Sequence, residues 1–109
     1  MTEVTFYCNT DHKIIAFDCE GHAGYKRFGK DIVCSAISVL TINTINTLTD
    51  ILNIQADINT DSKSGIINFR LLEKPTNETE LILRSYELGV NGIANEYGSK
   101  YCLVTTKED

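Results

Sequence analysis

The sequence predicts an α+β fold: two helices laid on a mainly antiparallel sheet, in the order ββαββαβ. Three observations lead there. The first twenty residues alternate apolar and polar side chains in two short runs, a long helical pattern follows from Asp31, and the strand–strand–helix order then recurs. A chain of 109 residues suits one domain with one core, spanning 1–109.

Val4, Phe6 and Cys8 alternate with Glu3, Thr5 and Tyr7, the period of a half-buried strand. Asn9 to His12 supplies turn formers, and Ile14 to Glu20 reads as the returning strand with Ile15, Phe17 and Cys19 on one face. Gly21 to Lys30 breaks every periodicity with Gly21, Gly24 and Gly29, and predicts a flexible loop. Asp31 can cap a helix running to about Leu52, whose stripe is Val33, Ile37, Leu40, Thr44, Leu48 and Ile51. Ile32, Val39, Ile42 and Ile45 add apolar surface off that stripe, so burial on a second side is expected.

Ile54, Ala56 and Ile58 alternate again, as do Ile67, Phe69 and Leu71 beyond the Asp61–Gly65 turn, which predicts a second hairpin. Pro75 ends it. Asn77 with Glu80 offers a capping pair for a second helix, with Ile82, Tyr86, Gly89, Ile93 and Tyr97 on one face and Gly98 at its end. Tyr101 to Thr106 reads as a last strand.

Composition narrows the function classes. A formal charge of −5 argues against general nucleic-acid binding, which needs dense positive charge. The N-terminus shows no signal peptide, and no uninterrupted apolar run long enough to cross a bilayer is evident. Cys8, Cys19, Cys34 and Cys102 lack paired spacing, which favours reduced thiols and a cytoplasmic protein. No metal site or cofactor is implied.

The residues that carry chemistry are Gly21-His22-Ala23-Gly24 and Asp31-Ile32-Val33-Cys34-Ser35-Ala36-Ile37-Ser38. His22 leaves a strand end, while Cys34 falls in the first turn of a helix, where unpaired N–H groups and the dipole favour a thiolate. A thiolate there can attack a peptide carbonyl while His22 receives and returns the proton. Cys34, Ser38 and Thr41 form a stripe about a quarter-turn from the core stripe, at its border. Spacing alone leaves open that Cys34 is one more small buried hydrophobe.

These two motifs, joined by the glycine-bearing loop, resemble the ribosomal-processing cysteine protease family known as Prp, and the likeness covers essentially the whole chain. The resemblance implies that His22 and Cys34 are a catalytic dyad, with Gly21, Asp31 and Ser38 as supporting residues. It also implies a homodimer that removes the N-terminal extension of a large-subunit ribosomal protein, the twenty-seventh of its series, after aromatic residues. Ser35 stands where many members carry Ala. The loop residues Ala23, Gly24, Tyr25, Phe28 and Gly29 are expected to meet substrate and close over it as a lid.

Other readings compete for the same residues. Gly24 to Asp31 nearly matches the phosphate loop G-x-x-x-x-G-K-[ST], which suggests a nucleotide-binding module. Asp31 would then put a carboxylate where a hydroxyl should meet the metal. Cys8, Cys19, His22 and Cys34 could ligate zinc, but no second close pair completes a usual site. Lys26, Arg27 and Lys30 form a small basic cluster on an acidic chain, more in keeping with a solvated loop than with direct nucleic-acid contact. A non-catalytic ribosome-associated binding protein is compatible with composition.

Overall fold

The computed structural model describes residues 1–24, 26 and 31–109. Five strands and two helices follow the expected order: β1 Thr2–Cys8, β2 Ile14–Glu20, α1 Ile32–Asn46, β3 Ala56–Asp61, β4 Ile66–Leu71, α2 Asn77–Tyr97 and β5 Cys102–Glu108. The strands lie in the order β3-β4-β2-β1-β5. The β1–β5 pairing is parallel and the other three are antiparallel. The parallel pair follows from α2, whose length carries the chain from β4 across the sheet to the far edge.

One face of the sheet supplies the core. Phe6, Phe17, Phe69 and Tyr86 pack as an aromatic cluster, with Tyr86 4.7 Å from Phe17 and 5.5 Å from Phe6 between ring centres. The opposite face is polar and hydrogen-bonded within itself: Tyr7 donates to Asp18 at 2.8 Å, and Asn68 donates to the other Asp18 oxygen at 2.6 Å. Both helices therefore share the apolar side.

The first helix starts at its expected cap and continues beyond Asn46 as a π-helical turn, Thr47–Ile51, close to the expected end. Its threonines are tolerated because Thr41, Thr44 and Thr47 each donate to the carbonyl four residues back. The Thr41 hydroxyl also meets the Tyr86 hydroxyl at 2.7 Å, linking the helices through a buried polar pair.

Several details depart from the sequence pattern. The buried face of the first helix is Val33, Ile37, Thr41, Thr44, Ile45 and Leu48; Leu40 is half-buried and Ile51 is exposed. Ile45 is thus covered within the chain, whereas Ile32, Val39 and Ile42 stay exposed. The packing of α1 against α2 rotates the buried arc beyond the expected stripe. Ile32–Ile51, at mean hydropathy 1.5, has the length and composition of a membrane span, but Ser35, Ser38, Thr41 and Asn43 interrupt its apolar run, in keeping with the sequence expectation. In this fold it packs on the sheet as a core helix. In β2, Ile14 is buried and Ile15 only half-buried, because the register shifts between Tyr7 and Cys8 and pairs Cys8 with Ile14.

The second helix is capped one residue earlier than expected. Thr76 accepts from the Thr79 N–H and the Thr79 hydroxyl accepts from the Thr76 N–H, a reciprocal capping box. Glu80 instead accepts from the Ile14 N–H and pairs with Arg84, tying the helix to the first hairpin. The deeply buried face is Thr79, Leu83, Tyr86 and Val90, displaced by one position from the Ile82–Tyr97 stripe except at Tyr86. β3 is an edge strand with little burial, so its alternation does not mark a core face.

Candidate active site

Two backbone devices bring the histidine and the cysteine together. Gly21 has φ +88°, and a Cβ there would lie 2.6 Å from the Met1 carbonyl oxygen, so both conformation and space require glycine. This turn takes the chain out of β2 and delivers His22 to the start of α1. At that helix start the Asp31 side chain accepts from the Cys34 N–H at 2.9 Å, while its backbone carbonyl accepts from Ser35 at 3.0 Å. The cap thereby fixes the Cys34 backbone in the first turn.

Cys34 Sγ lies 4.0 Å from His22 Nδ1. That is long for a hydrogen bond, and catalytic contacts commonly tighten only when substrate closes the site. Cys34 is half-buried, whereas Cys8, Cys19 and Cys102 are buried. Burial pushes the Cys19 thiol up to about 11 and also raises Cys8 and Cys102, so these three stay protonated near neutrality. The accessible thiol is the one beside the imidazole.

Two clefts meet at this pair. One, of about 590 Å³, runs past Gly24, Lys26, Asp31, Ser35 and Val39. The other, of about 640 Å³, runs between α1 and the β3–β4 hairpin, over Ile37, Ile42, Thr60, Gly65 and Ile67. His22, Cys34 and Ser38 line both. The arrangement offers a nucleophile, a proton acceptor and room on either side for an extended polymer.

The sequence-derived site residues separate accordingly. His22, Cys34, Asp31, Ser38, Gly21 and Gly24 come together as cleft-lining residues. Ala23 does not: at 2% exposure it belongs to the core, because its small apolar side chain anchors the loop instead of facing substrate. Tyr25, Phe28 and Gly29, and with them the proposed lid, lie outside the described residues. The phosphate-loop reading loses its last residue, since Asp31 is committed to capping α1. Among the described residues, no group of three or more His, Cys, Asp or Glu side chains is placed to hold a metal ion.

Gly65, Thr60, Ile67 and Ile42 were not named as site residues from the sequence. Ile42 follows Cys34 and Ser38 at four-residue intervals on α1, whereas the others reach the site through pairing of distant segments, Cys19 with Ile67 and Thr60 with Ile67. The even register of the second hairpin is the signal that could have found them.

Comparison with known proteins finds relatives along nearly the whole chain. The family model described as cysteine protease Prp matches residues 1–102. A ribosomal processing cysteine protease Prp of Staphylococcus aureus is 28% identical over 97 residues, covering 89% of this chain and 92% of that protein. The crystal structure of S. aureus Prp with a covalently linked product peptide superposes with a TM-score of 0.92 at 26% identity, covering 98% of this chain and 100% of the other. A second S. aureus structure, holding a substrate peptide, gives a TM-score of 0.86 at 25% identity over the same shares.

Proposed function

The chain belongs to the cysteine protease Prp family and is a cysteine protease; on that premise we propose that His22 and Cys34 are its catalytic dyad. The observation that carries the proposal is the 4.0 Å approach of Cys34 Sγ to His22 Nδ1 where two clefts meet. His22 Nδ1 takes the thiol proton, the sulfur attacks the scissile carbonyl, and the imidazolium returns that proton to the leaving amine. Water then attacks the thioester, again with His22 as base, and releases Cys34. The Cys34 N–H donates to Asp31 in this geometry, so Asp31 is a positioning residue and the oxyanion takes its donors elsewhere.

The substrate in this reading is the N-terminal extension of a large-subunit ribosomal protein, and the enzyme acts in the cytoplasm, where ribosomes are assembled. The names of the S. aureus relatives and the open clefts on both sides of the dyad support this. Homodimerisation is supported by Ile32, Val39 and Ile42 of α1, exposed at 56%, 67% and 51%, of which Val39 and Ile42 also line the clefts.

Mixing the protein with the extended ribosomal protein and reading product masses tests the proposal. The parent is expected to release one N-terminal peptide. Cys34→Ala and His22→Ala are expected to release none while melting near the parent temperature. A His22→Ala enzyme that cleaves at the parent rate would remove the dyad. Light scattering at micromolar concentration tests the dimer, and a mass of one chain refutes it.

A further inference from the structure

The second hairpin touches the histidine. Gly65 ends the β3–β4 turn with φ +70°, immediately before β4 begins at Ile66. A Cβ on Gly65 would lie 2.7 Å from the Gly21 carbonyl oxygen and 3.1 Å from His22 Cε1. The first distance is one that real Cβ atoms essentially never show, and its partner is backbone, which cannot swing aside. The His22 segment thus leaves no room for a side chain on either side: the Met1 carbonyl excludes one at Gly21, and the Gly21 carbonyl together with the imidazole edge excludes one at Gly65.

Resting on the dyad reading above, we propose that Gly65 is a positioning residue for catalysis, setting the rotation of the His22 ring. In imidazole, Cε1 lies between the two nitrogens. The space that Gly65 leaves free beside Cε1 therefore admits this rotation about the bond to the ring, and that rotation decides whether Nδ1 faces the sulfur. At 4.0 Å the pair is already long, so turning the ring further away carries Nδ1 out of reach of Cys34 Sγ. A side chain at Gly65 would push the ring edge or the Gly21 carbonyl, and both displacements act on the same nitrogen. The hairpin turn, far from Cys34 in sequence, then controls whether the thiolate has its proton acceptor.

The competing account is that Gly65 is glycine only because of its positive φ. Asparagine tolerates that backbone yet carries the Cβ, so Gly65→Asn separates the two. Gly98→Ala is the control, with φ +99° and nothing within 4 Å of the added Cβ. The readout is the rate of Cys34 alkylation by iodoacetamide from pH 5 to 10, with melting temperatures measured alongside. The parent is expected to react faster at pH 7 than His22→Ala, because His22 takes up the thiol proton. Gly65→Asn is expected to reproduce the His22→Ala profile, with at least a ~10-fold fall in rate at pH 7, whereas Gly98→Ala keeps the parent profile whatever it loses in melting temperature.

A folded Gly65→Asn with the parent rate and profile overturns the proposal. So does a loss of rate in Gly98→Ala as large as that in Gly65→Asn. If Gly65→Asn does not fold, the parent decides by NMR: a nuclear Overhauser effect between His22 Hε1 and a Gly65 α-proton supports the close approach of the ring edge to Gly65, and its absence refutes it. A parent profile indifferent to His22→Ala overturns the dyad itself, a failure distinguishable from one confined to Gly65.

Discussion

Replacing Asp31 with alanine removes the one side-chain acceptor that the structure gives the Cys34 N–H. The bond is 2.9 Å long and Asp31 is only 7% exposed, so water does not readily substitute for the lost oxygen. N-cap truncations cost about 0.5–2 kcal/mol, and burial places this one in the upper part of that range, about 1.5–2 kcal/mol. A chain of 109 residues has an unfolding entropy of about 0.23 kcal/mol/K, so the melting temperature should fall by about 6–9 °C. Asp31→Asn keeps an acceptor for the Cys34 N–H and removes the charge, which at a helix start is worth about 0.3–1 kcal/mol, or roughly 1–4 °C. Thermal melts followed by circular dichroism supply the first assay. Exchange of the Cys34 amide supplies the second, expected to accelerate ~10–30-fold in Asp31→Ala if the cost is local opening. Asp31→Ala melting within 2 °C of the parent, or Asp31→Asn melting as low as the alanine variant, would refute the capping argument.

Iodoacetamide at pH 7 should label Cys34 and leave Cys8, Cys19 and Cys102 unmodified until the chain unfolds, as peptide mapping would show; equal labelling refutes this. Stability should decline above about pH 8.5, by at most ~1.4 kcal/mol per pH unit for each thiol. The sign follows from burial: Cys19 ionises first in the unfolded chain and in the fold only near 11, so raising pH through that window favours unfolding, and a flat denaturation midpoint would contradict it. Tyr86→Phe and Thr41→Val should each destabilise by about 1 kcal/mol, with a double-mutant coupling of about 0.5–1.5 kcal/mol from their 2.7 Å contact; additive losses would deny the pair any net worth.

Local chemistry made much of this protein legible. Alternation in β1 placed Phe6 and Cys8 in the core, Asp31 marked a helix start by its capping chemistry, and Gly98 marked a helix end. What failed to show was whatever depends on two distant elements meeting. Ile45 looked like surplus apolar surface because nothing local says how α1 rolls against α2; that roll leaves Leu40 half-buried, its side chain lying over Gly89 on α2, where an added Cβ would lie 2.9 Å from its Cδ1. The second cap was misplaced because Asn77 and Thr76 are both good caps, and the reciprocal bond from Thr79 chose between them. Ala23 read as loop because glycines flank it, yet its burial reflects the sheet beneath.

Cys19 and Cys34 make the strongest case for reading function from position. Both are unpaired thiols and both line the same cleft. Cys19 stands on the core face of β2, beside the Thr41 and Tyr86 hydroxyls, where loss of water holds its proton to about 11. Cys34 stands in the first turn of a helix, half-open to solvent and 4.0 Å from an imidazole nitrogen. No difference in residue type separates them; the separation comes from the elements that carry them. A strand's inward face desolvates its thiol from the low-dielectric side, whereas a capped helix start presents the thiol at the edge of the core. Moving Asp31 would take Cys34 out of that position, because the cap determines which residue of α1 occupies the first turn. On the proposed dyad, capping and catalysis are therefore one structural problem, solved at a single carboxylate.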